Sequence, residues 1–298
     1  MVNLSQNFLD MDLKNLKWVL LVALSLIWGS SFILIKRGLV GLTPMQLGSL
    51  RVLFSAVFLI LIGFRSLTEI KRNQWKYIVL TSFFGTFIPA FLFALAQTQI
   101  SSSVSSILNS LTPLNTLLLG ALAFGLTFKR TQIVGVVIGL IGTLLLIVNG
   151  ALNHPGQNYW YALLVLVASI CYALNVNLLK KYLADVKPLS ITTGNFLVLF
   201  FPALVVLLST DFISVINDEA VQHSLLFIGV LGVVGTGIAN ILFFKLIQIS
   251  SPVFATSVTY LIPIVAFFWG LLDGEMLTPV QFVGAFVVLL GVYLSSKK

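Results

Sequence analysis

Apolar residues run along this chain in long unbroken stretches, each closed by charged or turn residues. Over a window of about 19 residues, the stretches fall near 18–36, 44–63, 74–96, 101–123 and 131–149, then near 158–180, 188–209, 222–247, 252–272 and 278–295. A bilayer core about 30 Å thick takes about 20 helical residues, so each stretch predicts one crossing. In hydrocarbon every backbone amide and carbonyl needs a partner within its own segment or within a closed barrel. The stretches are continuous and do not alternate, which rejects the barrel and predicts an all-α membrane protein with ten transmembrane helices. The first stretch is too long for the core of a cleaved signal peptide and no small-residue cleavage site follows it, so it is expected to stay as the first crossing.

A second regularity lies on top of the first. Gln99-Ile100-Ser101-Ser102 recurs as Gln248-Ile249-Ser250-Ser251, an offset of 149, which is half the chain length of 298. Gly135 and Gly142 recur as Gly284 and Gly291 at that offset, and Pro113 and Gly120 recur as Pro263 and Gly270 at 150. Earlier in each half the offset is 144, matching Lys36-Arg37 to Lys180-Lys181 and Pro44 to Pro188. Ordered matches at a nearly constant offset are the mark of an internal repeat. The expected organisation is a cytoplasmic N-terminal segment (1–17), a first five-helix repeat (18–149), a linker (150–157) and a second repeat with a short tail (158–298). Five is odd, so the second copy begins on the opposite side of the membrane and the repeats are inverted, the build of secondary transporters whose site lies between the halves near mid-membrane.

Charge sets the orientation. With the N-terminus in the cytoplasm, thirteen of the seventeen Lys and Arg residues fall on the cytoplasmic side, as the positive-inside rule requires. Lys36 and Arg37 hug the far end of the first crossing, while Arg51 and Lys245 lie within helices. Dropping one crossing would invert every later loop and scatter these charges, so both termini are expected in the cytoplasm of a multi-pass protein in the cell membrane.

Composition agrees: 58% of residues are hydrophobic and 9% charged, against about 25% charged in a soluble domain. The formal net charge of +8 does not indicate nucleic acid, because the basic residues punctuate apolar runs and do not cluster on a solvated face. The one cysteine, Cys171, sits inside an apolar stretch and excludes a disulfide framework or a cysteine-based metal cluster.

The chain resembles the drug/metabolite transporter superfamily, specifically its EamA-type permeases, over about residues 15–296. The residues that carry the likeness are Trp28-Gly29-Ser30-Ser31-Phe32, Arg51, the Ser-rich connection before the fourth helix, Pro113 and Pro263, and Gly274-Glu275. The first half departs from the pattern, with Gly125-Leu126 where such proteins often carry a Gly-Glu pair. The resemblance implies a metabolite permease.

Polar positions that recur in both copies are the best candidates for a shared cavity. Trp28 and Ser31 share a helix face, as do their mates Tyr172 and Asn175. Ser106, Asn109, Ser110 and Pro113 form one stripe, mated by Thr256, Thr259, Tyr260 and Pro263. The two prolines each free a backbone carbonyl and mark points that can bend. Gly85-Thr86 and Gly235-Thr236 permit close packing or sliding, and Asn240 adds an amide that wants partners in hydrocarbon. Arg51 lies seven residues after Pro44, about 10 Å into the membrane at 1.5 Å per residue; substrate contact, a structural bond and snorkelling all remain open for it. The candidate substrate-binding set is therefore Trp28, Ser31, Arg51, Asn109, Ser110, Tyr172, Asn175, Asn240 and Tyr260, with Pro113 and Pro263 as hinges.

All nine carboxylates fall at helix ends or in loops, so no mid-membrane proton carrier is visible. There is no phosphate loop for ATP, and no nucleophile with its base, paired aspartates or metal helix that an intramembrane enzyme needs. No cofactor or metal is expected. The expected partners are the lipid bilayer and a small-molecule substrate, with no nucleic acid and a homodimer left open. The function expected is alternating-access transport of a small organic metabolite, an amino acid among the candidates, with export favoured; the competing class is a membrane scaffold or sensor subunit.

Overall fold

A computed structural model describes residues 2–100, 102–127, 129–153, 159–272 and 279–296, and these are entirely helical or turn. The first part of the chain forms α1 (Val2–Gly38), α2 (Pro44–Gly63), α3 (Trp75–Ala96), α4 (Ser102–Asn109), α5 (Thr112–Phe124) and α6 (Arg130–Asn153). The second forms α7 (Ala162–Tyr182), α8 (Pro188–Leu208), α9 (Glu219–Ile249), α10 (Pro252–Thr256), α11 (Val258–Leu272) and α12 (Pro279–Ser296). Among the described residues, seven helices are each long and apolar enough to cross a membrane.

Local chemistry sets several boundaries. Thr43 accepts from the Gln46 amide and Gln46 reaches back to the Thr43 amide, a capping box that starts α2 with Pro44 in its first turn. Pro188 likewise sits in the first turn of α8, there without a capping side chain. Gly125, at φ 65, closes α5 in the left-handed conformation that a side chain would resist. Helix α6 runs through Asn153, four residues into the expected linker, while His154, Gly274 and Glu275 lie outside the described residues.

Two single helices expected from the pattern, 101–123 and 252–272, are each broken in two, at Ser110–Leu111 and at Ser257. Proline supplies part of the reason. Pro113 has no N–H for the Asn109 carbonyl four residues back, and the Thr112 hydroxyl takes that carbonyl instead, at 2.6 Å. Pro263 leaves the Thr259 carbonyl in the same position. Helices α3 and α9 are continuous but widen into π-helical turns at Phe83–Phe87 and Val233–Ile238, the sort of bulge found often at functional sites.

The helices pack with an inside-out polarity. Large apolar side chains such as Leu61, Leu122, Phe201 and Leu226 point outward and are at least 70% exposed, while Ser49, Thr81, Ser106, Thr193 and Asn195 are buried. Such a surface suits lipid. Helix α1 packs against α9 and α11, and α7 packs against α3 and α5; α2 pairs with α8, and α6 with α12. The centre of the bundle is where α1, α2, α3, α4, the start of α5, α7, α9 and α10–α11 converge.

Candidate functional site: a central polar cavity

At that convergence lies a cavity of about 80 Å³, room for about half a dozen water-sized spheres. Seven of the nine residues expected to meet a substrate line it: Trp28, Ser31, Arg51, Asn109, Tyr172, Asn175 and Asn240. The other two fall outside the lining. Ser110 is buried and donates to the Thr259 carbonyl at 2.8 Å. Tyr260 is fully buried and packs over Gly139 of α6, where an added Cβ would come within 2.8 Å of its ring. Each directly follows a lining residue, Asn109 and Thr259, and one step along a helix turns a side chain by about 100°, enough to take both out of the cavity. Pro113 sits in the first turn of α5 and Pro263 inside α11, the former beside the break of its helix.

The lining is paired along the chain. Trp28 and Tyr172, Ser31 and Asn175, and Phe32 and Val176 are separated by 144 residues. Gly85 and Gly235, Thr86 and Thr236, Phe93 and Phe243, Asn109 and Thr259, and Thr112 and Ile262 are separated by 150. Phe93, Phe243, Ile35 and Ile262 carry no signal in the sequence, because an apolar side chain in a membrane helix is the background; Thr112, a lone hydroxyl before Pro113, escapes notice as well. The constant offset was the signal that would have found most of them.

The pairing extends to contacts. A Cβ on Gly235 would lie 2.9 Å from the Ser31 hydroxyl, and a Cβ on Gly85 would lie 2.6 Å from the Asn175 amide. Each half thus sets a polar side chain from its first helix against a glycine in the π-turn of the other half's third helix. The turn in α9 is gripped most. Trp28 Nε1 donates to the Gly235 carbonyl at 3.0 Å, Ser55 Oγ to the Gly232 carbonyl at 2.7 Å, and Arg51 Nε to Thr236 Oγ1 at 2.7 Å. Thr236 in turn donates to the Leu231 carbonyl at 3.0 Å.

Arg51 and Asn240 break the pairing. The residue 144 after Arg51 is Asn195, which is buried against Thr81 and Ile78 with its amide nitrogen turned toward them. Arg51 is the sole charged side chain in the cavity wall among the described residues. Asn175 is buried and its Oδ1 has no hydrogen-bond partner.

The two ends of the bundle are tied by contacts between the halves. At one end Lys71 pairs with Asp185 at 3.2 Å, Gln74 Nε2 donates to the same carboxylate at 3.0 Å, and Glu69 pairs with Lys187. Lys71 beside it, with Gln74, holds the Asp185 carboxyl below the usual range. At the other end the Gly41 amide donates to Ser224 at 3.0 Å, with the Ala220 carbonyl so close that a Cβ on Gly41 would lie 2.2 Å from it.

An apolar-skinned helical bundle around a small central chamber defines a multi-pass membrane protein. The chain belongs to the EamA-like transporter family, whose pattern matches residues 16–148 and again residues 159–297. It is 29% identical over 282 residues to an uncharacterized inner membrane transporter, YedA, of Escherichia coli strain K12, covering 92% of this chain and 88% of that one. It is 26% identical over 292 residues to a probable amino-acid metabolite efflux pump of the same organism, covering 93% of each. Similarity of 26% over 274 residues extends to an S-adenosylmethionine/S-adenosylhomocysteine transporter of Chlamydia trachomatis, covering 88% of this chain and 84% of that one. A solved crystal structure shares the fold at a TM-score of 0.71 and 15% identity, covering 93% of this chain and 95% of its own.

Proposed function

We propose that this protein is a secondary transporter and not an enzyme, built as ten crossings in two inverted five-helix repeats with both termini in the cytoplasm. It moves a small organic metabolite by alternating access, with export the favoured direction and the amino-acid class the favoured cargo. The observation that carries this reading is the cavity wall, in which most residues come as pairs at the two repeat offsets. Inverted repeats place equivalent faces around one mid-membrane chamber. The double match to one family pattern supports the duplication, and the name of the Escherichia coli efflux pump supports both cargo and direction.

Rocking of the halves is expected to use the elements that are already interrupted. The π-turns in α3 and α9 and the breaks at Ser110–Leu111 and Ser257 are where helix register is least fixed. Opening toward one side breaks the Lys71–Asp185 and Glu69–Lys187 pairs. Opening toward the other breaks the Gly41–Ser224 contact.

The test is flux of labelled amino acids in proteoliposomes, with and without a pH gradient. Saturable movement supports the reading; no movement over a broad panel rejects it in favour of a scaffold. Tags at the two ends of the chain should report from the same, cytoplasmic side of the membrane.

A further inference from the structure

We propose that Arg51 is the carboxylate anchor of the central cavity, and that the cavity admits one small molecule bearing a single carboxylate, whose other end faces the aromatic and amide wall. This rests on the transporter reading for its biological setting but not for its chemistry.

Arg51 is only partly exposed, and a guanidinium withdrawn from bulk water gains from compensating charge or hydrogen bonds. Arg51 has little of either. Among the described residues its one side-chain hydrogen bond is from Nε to the neutral hydroxyl of Thr236, and no carboxylate lines the cavity. Guanidinium carries five N–H donors, so the end-on fork of Nη1 and Nη2 stays uncommitted while Nε holds the side chain in place. A fork of that shape fits a carboxylate with two parallel hydrogen bonds. The residue is anchored, charged and unanswered, and the missing charge is left for the occupant.

Charge counting narrows the occupant. The residue 144 further on is Asn195, buried elsewhere and neutral, so the repeat does not supply a second cation. A dianion, such as a dicarboxylate or a phosphate monoester, would bring one negative charge with no partner in the described wall. The remaining wall offers the rings of Trp28, Tyr172, Phe93 and Phe243, with Asn175 and Asn240. Aromatic faces take an apolar side chain or an ammonium group equally well. A cavity of about 80 Å³ keeps the cargo small.

The experiment uses the full-length protein purified in detergent and reads quenching of its intrinsic tryptophan fluorescence, since Trp28 lines the cavity. The probes are L-leucine, 4-methylpentanoate, L-leucinamide, 3-methylbutylamine and glutarate. Leucine and 4-methylpentanoate should bind saturably, and leucinamide, the amine and glutarate at least roughly tenfold more weakly, the scale of one charge-assisted contact. Arg51→Gln should remove that preference, and Arg51→Lys, which keeps the charge but not the fork, should fall between. Equal binding of leucine and leucinamide by the unaltered protein overturns the proposal without recourse to any variant. So does failure of both carboxylates to bind, or carboxylate binding unchanged in Arg51→Gln. The transporter reading fails separately: Arg51-dependent binding of leucine with no leucine counterflow in proteoliposomes rejects transport and sustains the anchor, whereas counterflow of leucinamide equal to that of leucine sustains transport and rejects the anchor.

Discussion

Ser110 Oγ donates at 2.8 Å to the carbonyl of Thr259, the carbonyl that Pro263 leaves without its helical partner. One side chain from the break between α4 and α5 thereby satisfies the backbone defect in α11, across the two halves of the chain. Removing the hydroxyl by Ser110→Ala orphans a buried acceptor, at a cost of about 1–3 kcal/mol. Pro263→Ala restores an N–H that can reach Thr259, so Ser110→Ala should cost distinctly less in that background. Thermal unfolding of the two single variants and the double variant in detergent gives the coupling; simple additivity would show that the bond does not matter.

Tyr172 and Asn109 line the cavity from opposite halves. Tyr172→Ala deletes an aromatic wall, which also stacks on Phe93 at 6.1 Å, and should weaken cargo binding roughly two- to tenfold. Asn109→Ala should impair flux as well. Melting temperatures of both variants should stay near that of the parent protein. Undiminished transport in both would refute the placement of the binding site.

Helices α6 and α12 approach backbone to backbone, with Gly291 so near Gly139 that a Cβ on Gly291 would lie 2.5 Å from the Gly139 nitrogen. Backbone cannot step aside as the tip of a side chain can. Gly291→Ala is expected to cost about 1–3 kcal/mol by overpacking, seen as a lowered melting temperature. A melt unchanged by that methyl group would mean the helix pair is looser than this contact implies.

Acidification should open the end of the bundle where Asp185 meets Lys71 and Gln74. The Asp185 carboxyl lies below its usual range in the folded chain, so its contribution is fully present above the unfolded value of about 3.9. It is lost as pH falls through the lower, folded value. Between pH 7 and pH 5 the clamp should therefore hold. The pair is largely exposed, so the effect is small and is best read as a difference: the melting curves of the protein and of Asp185→Asn should converge only in strong acid. Convergence already near pH 6 would contradict the assignment.

The sequence by itself determined that this chain is a helical membrane protein of one transporter family along which fixed spacings recur, because those properties are statistical. Apolar run length answers to bilayer thickness, and an offset of 144 or 150 survives whatever the helices do in space. It also pointed to Trp28, Ser31, Tyr172 and Asn175, since polar and aromatic groups at matched positions stand out against an apolar background. Phe93 and Phe243 did not stand out, although they obey the offset, because a phenylalanine facing lipid and one facing a cavity are spelled alike.

Tertiary structure alone decided the direction each polar group takes. Ser110 and Tyr260 follow directly on Asn109 and Thr259, and the turn of about 100° per helical residue takes them away from the cavity, one into a backbone clasp and the other over Gly139. Arg51 could have served the lipid interface, a structural bond or the cavity. Which of these holds depends on what stands opposite it, and that is Thr236 in the widened turn of α9 with an open fork beyond. Position along a helix fixes depth in the membrane; only the packing of that helix against its neighbours fixes what a side chain at that depth can touch.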